Sequence, residues 1–397
     1  EIMMSKTKEL TKNLTSQYYY ALWQKLGKPD GFMLATGSVV VEDQPTLDQI
    51  ADAIPPLSLN NSFSGNPINT FSGNYRGIVP ALNPPAAVAT ALGTQYNSSW
   101  LTFLKKNAAK VTFSPPDEYV TSLQGLMRQW GVEDAIPQDV VDRGVTALVQ
   151  DIDLNPVSMA TTLLAAAKDG PFGWTPNTQN LQTLMANAET IGFDITDIQK
   201  STDLTHTWAE GAMNVFYDIF DFGAEGSYES EAKSFMSNAF AISVSMGQVS
   251  TMAVPIQVGQ SFSIAGTDYR PWYDPAALRY AYKGQNNANV WKSVSDWGSY
   301  FGDGGTLPRL ITELYFAQDI QITMTSSYSF SASQYKKIEA AAATGFFPFF
   351  VGEVSGERIS RASQSEDGTV ALTTSSPTGV TMLIGVNVAS VADLMGT

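Results

Sequence analysis

Two groups of carboxylates are the residues of this chain best placed to do chemistry. The first is Asp218, Asp221, Glu225, Glu229 and Glu231, close in sequence to Trp208, Tyr217 and Tyr228. The second is Asp268, Asp274 and Asp296, spread among Trp272, Tyr273, Trp291 and Trp297. Two acids flanking a glycosidic bond, with rings on which a sugar can stack, suffice for carboxylate-dependent glycan cleavage. The competing reading is a solvated acidic face along a glycine-bearing linker, which is where Asp and Glu ordinarily lie. The 218–231 spacing does not match a calcium-binding helix-loop-helix, and no metal ligand set is assigned.

Other enzyme chemistries lack their residues. His206 is the only histidine, within Asp203-Leu204-Thr205-His206-Thr207-Trp208, and no Gly-x-Ser-x-Gly turn accompanies it. A serine hydrolase needs a base beside its nucleophile, so no catalytic residue is assigned and the chain is read as a non-enzyme. Neither glycine-rich phosphate-binding pattern occurs, and no cofactor is expected. With 0 Cys there is no disulfide and no thiolate metal site.

Lys and Arg total 23 against 38 Asp and Glu, a net charge of −15. That balance repels a phosphate backbone, so nucleic acid is not an expected partner. Charged residues are only 15% of the chain, and Ser, Thr, Asn and Gly supply much of the remaining polarity. No apolar run reaches the roughly 18 residues of a membrane-spanning helix.

From Ser234 to Thr267 no residue is charged, and Ile320–Tyr335 and Gly368–Ala392 share this neutral, hydroxyl-rich character. A strand face in water ordinarily carries Lys or Glu for solubility and to block edge pairing. A strand crossing a bilayer instead needs apolar residues on one face and neutral polar ones on the other, over about 9–11 residues. Asn238–Met246 and Val249–Val258 fit two such strands joined by a turn at Gly247-Gln248. Their candidate lipid-facing residues are Phe240, Ile242, Val244, Met246, Met252, Val254, Ile256 and Val258. The alternative is an ordinary buried sheet, which Pro255 would interrupt. Trp272, Tyr273, Trp291 and Trp297 are candidates for touching a membrane surface or a glycan, since amphipathic rings serve both.

The elements that must position these residues differ between the two halves. Leu10, Leu14, Tyr18 and Leu22 recur every four residues and predict a helix over 5–26, closed by Gly27 and Pro29. Ser114-Pro115 and Thr175-Pro176 each open a further helix, stopped at Gly131 and Gly192. Further helices are expected near 48–54, 86–105, 140–152 and 158–168. The repeat Phe63-Ser64-Gly65-Asn66 and Phe71-Ser72-Gly73-Asn74 predicts paired turns or a short hairpin. Beyond about residue 235 the period becomes two, in 240–246, 320–325 and 380–388, with one helix near 333–344.

The expected fold is α+β, a helical N-terminal half packed against a C-terminal β-rich, antiparallel half, divided as 1–232 and 233–397. The leading functional expectation is a soluble, secreted or defensive toxin-like protein. It would bind a target membrane, form a homo-oligomer and open pores. Alternatives are a glycan-binding or glycan-cleaving protein and a structural assembly subunit.

Overall fold

The computed structural model describes residues 6–35, 39–56, 69–83, 86–112, 116–154, 156–168, 170–174, 178–196, 240–256, 258, 261–264, 266–344 and 359–395. The fold is α+β, with helices dominating the N-terminal half and antiparallel sheet the C-terminal half. In chain order the first elements are α1 (Lys6–Lys25), β1 (Phe32–Leu34), α2 (Gln44–Asp52), α3 (Phe71–Ala81) and α4 (Ala86–Asn107). Then follow α5 (Pro116–Glu133), α6 (Gln138–Leu154), α7 (Val157–Ala167), α8 (Thr178–Ala186), β2 (Glu189–Ile195) and β3 (Ala241–Ala253). The remainder comprises β4 (Phe262–Ile264), β5 (Thr267–Tyr269), α9 (Pro275–Lys283), α10 (Asp296–Phe301) and β6 (Arg309–Ser326). The chain closes with α11 (Ala332–Thr344), β7 (Ile359–Gln364), β8 (Val370–Ser375), β9 (Met382–Ser390) and α12 (Val391–Met395).

The two compact units interleave instead of following one another at residue 232. One comprises 1–67, 176–254 and 309–389; the other comprises 68–175, 255–308 and 390–397. The reason is strand pairing: β1 and β2, from the helix-rich half, are hydrogen-bonded to β9 and β3. The expected boundary near 230–235 lies outside the described residues, as does the 63–66 copy of the repeat.

The first unit is built on a seven-stranded sheet in the order β1-β9-β6-β3-β2, with β8 also paired to β6 and β7 to β8. Of the stripe expected on α1, Leu14, Tyr18 and Leu22 are at most 1% exposed and join the sheet core. Alternation of apolar residues sets the other side of that core: Ile242, Val244 and Met246 on β3, and Ile320, Ile322 and Met324 on β6. The expected helix continuing to Gly192 ends at Ala186, and Ile191, Phe193 and Ile195 alternate along β2 against β3. Pairing to a neighbouring strand overrides the helical reading of these residues.

The turn expected at Gly247-Gln248 is absent. β3 runs through both residues as one strand, paired to β6 from Ala241↔Thr325 to Ala253↔Glu313. The sequence change there is a phase shift. On β3, Ile242, Val244 and Met246 and then Val249 reach the same core; on β6, Tyr315 and Ala317 and then Ile320 do so. The shift falls at Gly247 and Asp319, and Asp319 takes a left-handed φ of 50°. Such a local bend redirects side chains without ending the ladder.

The second unit holds a helical core from α4, α5 and α6, including Leu92, Trp100, Met127, Trp130 and Leu148. α5 runs past Gly131 to Glu133, and Gly131 lies against Val141 of α6, where a β-carbon would collide with the valine side chain. The second copy of the repeat is the first turn of α3 and not a hairpin. Thr70 Oγ1 accepts from Gly73 N at 3.1 Å, and Asn74 Nδ2 donates to the Thr70 carbonyl at 2.7 Å. Capping thus converts a turn-like tetrapeptide into a helix start.

Candidate functional site: the hydroxyl-lined face of the sheet

β6 is buried on both faces along Leu314–Ala317 and on one face only beyond Asp319. Past that point Ile320, Ile322 and Met324 remain in the core, while Gln321 and Thr325 are exposed and Thr323 is half-buried. β3 presents Ser243 and Ser245 on the same open side, and β8 presents Thr373 and Ser375. Strand register arranges these groups in rows. Asp194, Ser243, Thr323, Thr373 and Arg361 lie side by side across β2, β3, β6, β8 and β7. Gly192, Ser245, Gln321, Ser375 and Ile359 form the next row. Neighbouring members of a row are about 4.8 Å apart, the interstrand spacing. The hydroxyls of Thr323 and Thr373 approach to 3.1 Å.

Charge in the first row is confined to its ends, Asp194 and Arg361. The intervening strands offer neutral groups that both donate and accept hydrogen bonds. The opposite face is apolar and packs against α1, and Ile338 of α11 belongs to the same core. Tyr18 stacks obliquely on Phe193 at 5.6 Å between ring centres. Burial pushes the hydroxyls of Tyr18 and Tyr19 well above the ordinary tyrosine range.

The candidate lipid-facing residues are distributed as follows. Phe240, Ile242, Val244, Met246, Met252 and Val254 are at most 6% exposed in the folded chain. Ile256 is half-buried and Val258 is 51% exposed. β3 is an interior strand, bonded to β2 on one side and β6 on the other.

The aromatic group does not form a surface platform. Trp272, Tyr273 and Trp291 are buried, and only Trp297 is half-buried. Trp272 and Tyr273 pack with Phe71 and Tyr75, with ring centres 5.0–6.1 Å apart between the two pairs. Trp272 Nε1 donates to the Gly173 carbonyl, and Trp291 Nε1 to that of Ala281. Rings sealed in this way offer no free face to a sugar.

Asp274 caps α9, accepting from Ala276 N at 2.9 Å; burial raises its carboxyl, opposed by the backbone bonds from Ala276 and Ala277. Tyr75 Oη bridges the Asp274 amide and carbonyl at 3.0 and 3.2 Å. Asp268 is exposed and bonded to Ser263, while Asp296 sits in the first turn of α10. His206 and the 218–231 acids lie outside the described residues. Among the described residues no cluster of His, Asp and Glu could hold a metal ion, and no helix is long and apolar enough to cross a membrane.

Sequence reasoning missed the rows. Ser, Thr and Gln at alternate positions are visible in the sequence, but their partners come from strands far apart in the chain, and register alone aligns them. No family model matches the chain, and no curated protein or solved structure is significantly similar to it.

Proposed function

We propose that this protein acts on a target membrane, assembling there into a homo-oligomer that opens a pore, with the neutral half of the sheet as the working element. The supporting observation is the two-faced composition of that half-sheet. One face is apolar and packs under α1; the other is lined by Ser243, Ser245, Thr323, Thr325 and Thr373, with charge only at the ends of a row. A barrel wall requires this division, apolar toward lipid and neutral polar toward water, with every backbone group paired within the sheet.

The interior position of β3 changes which part must move. Extracting β3 alone would break its ladders to both β2 and β6. Displacing α1 and α11 from the apolar face leaves the ladders intact, so these helices are the elements that uncover the membrane-facing side.

Dye release from phosphatidylcholine vesicles tests the reading. A cysteine pair at Tyr18 and Phe193, joined by a short crosslinker, holds α1 on β2 and is expected to stop release; cutting the linker restores it. A disulfide between Thr323→Cys and Thr373→Cys fastens β6 to β8 and leaves release intact. Absence of both leakage and membrane-bound oligomer for the unmodified chain would reject the proposal.

The exposed hydroxyl rows favour one second reading, an assembly subunit in which that face packs against another copy. It predicts a fixed large oligomer by light scattering without lipid. A monomer in solution rejects it.

A further inference from the structure

The geometry points to a second site, in the helical unit: a receptacle for one amphiphile that has an apolar chain and a phosphate-bearing anionic head. It stands independently of the pore reading, because binding a single amphiphile requires neither oligomer nor membrane.

The chain end of the site is a cavity of about 260 Å³ among α3, α4, α5, α6 and α7. Val88, Trp100, Leu104, Leu123 and Leu148 supply much of its wall. Thr161 and Thr162 also line it, but their hydroxyls are bonded to the Val157 and Ser158 carbonyls of their own helix. The wall is therefore more apolar than its residue types suggest. An apolar cavity of roughly 150 Å³ already holds benzene, so this one has room for a longer hydrocarbon segment. Leu101, which also lines the cavity, is 48% exposed and extends apolar surface outward.

The head end is a groove of about 550 Å³ that shares Val79, Pro80 and Thr161 with the cavity. Arg76, Lys105 and Lys168 line it, and none of its lining residues is acidic. A fourth cation, Lys292, lines the cavity and donates to the Pro80 carbonyl at 2.7 Å. Lys105 lies in the last turn of α4 and Lys168 caps α7, positions that favour cations through the helix dipole. The dipole does not account for their convergence with Arg76, from a third helix, on one groove that shares wall residues with an apolar cavity. The net charge of −15 opposes wholesale attraction to anionic surfaces, but screening confines that repulsion to about 8–10 Å and leaves local cations dominant. Phosphate fits this site through several point charges and Arg76, whose guanidinium also lies 5.3 Å above the Phe172 ring.

Calorimetric titration of the full chain tests the site with three probes, each below any micelle concentration: dodecyl phosphate, dodecylphosphocholine and inorganic phosphate. Dodecyl phosphate should bind with a stoichiometry of one. Dodecylphosphocholine should bind at least about tenfold more weakly, and inorganic phosphate should not saturate in the same range. Lys105→Gln with Lys168→Gln should weaken dodecyl phosphate by about tenfold or more, with at most a small fall in the melting temperature of the free protein from the lost helix-dipole contacts. Ser158 lines the cavity, and Ser158→Phe, which fills it, should remove chain-dependent binding. If that variant fails to fold, Leu101→Asp at the exposed rim takes its place. No binding of dodecyl phosphate, equal binding of inorganic phosphate, or indifference to both sets of variants would overturn the assignment.

Discussion

A β-carbon added at Gly247 would stand 3.0 Å from the Cβ of Asp319, between the register pairs Met246↔Ile320 and Gln248↔Gln318. Asp319 takes a left-handed φ of 50°, and its carboxylate accepts from the Gly379 amide at 3.0 Å. The two residues thus mark where the double-covered part of the sheet gives way to the part with an open hydroxyl face.

Gly247→Val is expected to destabilise the protein by about 1–3 kcal/mol, the usual range for overpacking a tight contact. Urea unfolding should show a lower midpoint with an unchanged slope. An unchanged midpoint would mean that β3 and β6 can separate here freely, and the bend would then not require glycine.

Trp272→Ala should cost about 3–5 kcal/mol, because it removes a fully buried ring from the Phe71, Tyr75 and Tyr273 cluster. Loss of cooperative melting, or a large fall in Tm, checks it. A variant with wild-type stability would return Trp272 to the candidates for surface recognition.

Thr70→Ala removes the hydroxyl that caps α3 and should cost about 1 kcal/mol, with Thr70→Ser restoring most of it. Comparison of the two midpoints in denaturant separates the cap from a general effect of mutating the site.

Alkaline pH should destabilise the fold. Burial raises Tyr18, Tyr19, Tyr75, Tyr273 and Tyr315 above their unfolded value near 10. Below that value the hydroxyls are protonated in both states, and their contribution is fully present. Above it the unfolded chain loses protons that the folded chain retains, so stability falls as pH rises toward the folded values. Arg309 acts oppositely: burial pulls it down to about 10, below its ordinary range, so its burden eases as it deprotonates. Five tyrosines outweigh one arginine, and Tm should drop above about pH 10. Tyr18→Phe should shift the onset upward; a flat Tm across that range would contradict the sign.

The sequence alone fixed the class of the fold and most of its local elements, because periodicity is a local property. The spacing of Leu14, Tyr18 and Leu22 specifies a helix stripe, and that of Ile320, Ile322 and Met324 a strand face, whatever they pack against. It also determined that β3 carries no charge. Tertiary structure decided what those patterns become. Gly247-Gln248 looks like a turn until β6 pairs across it; Phe71-Ser72-Gly73-Asn74 looks like one until Thr70 caps it; Ile191 reads as helical until β3 lies beside it. The tryptophans near 272 and 291 look like a platform until neighbouring rings bury them. The hydroxyl rows and the cation-lined groove draw on residues far apart in the chain. Their assembly depends on long-range packing and register, which no window of sequence contains.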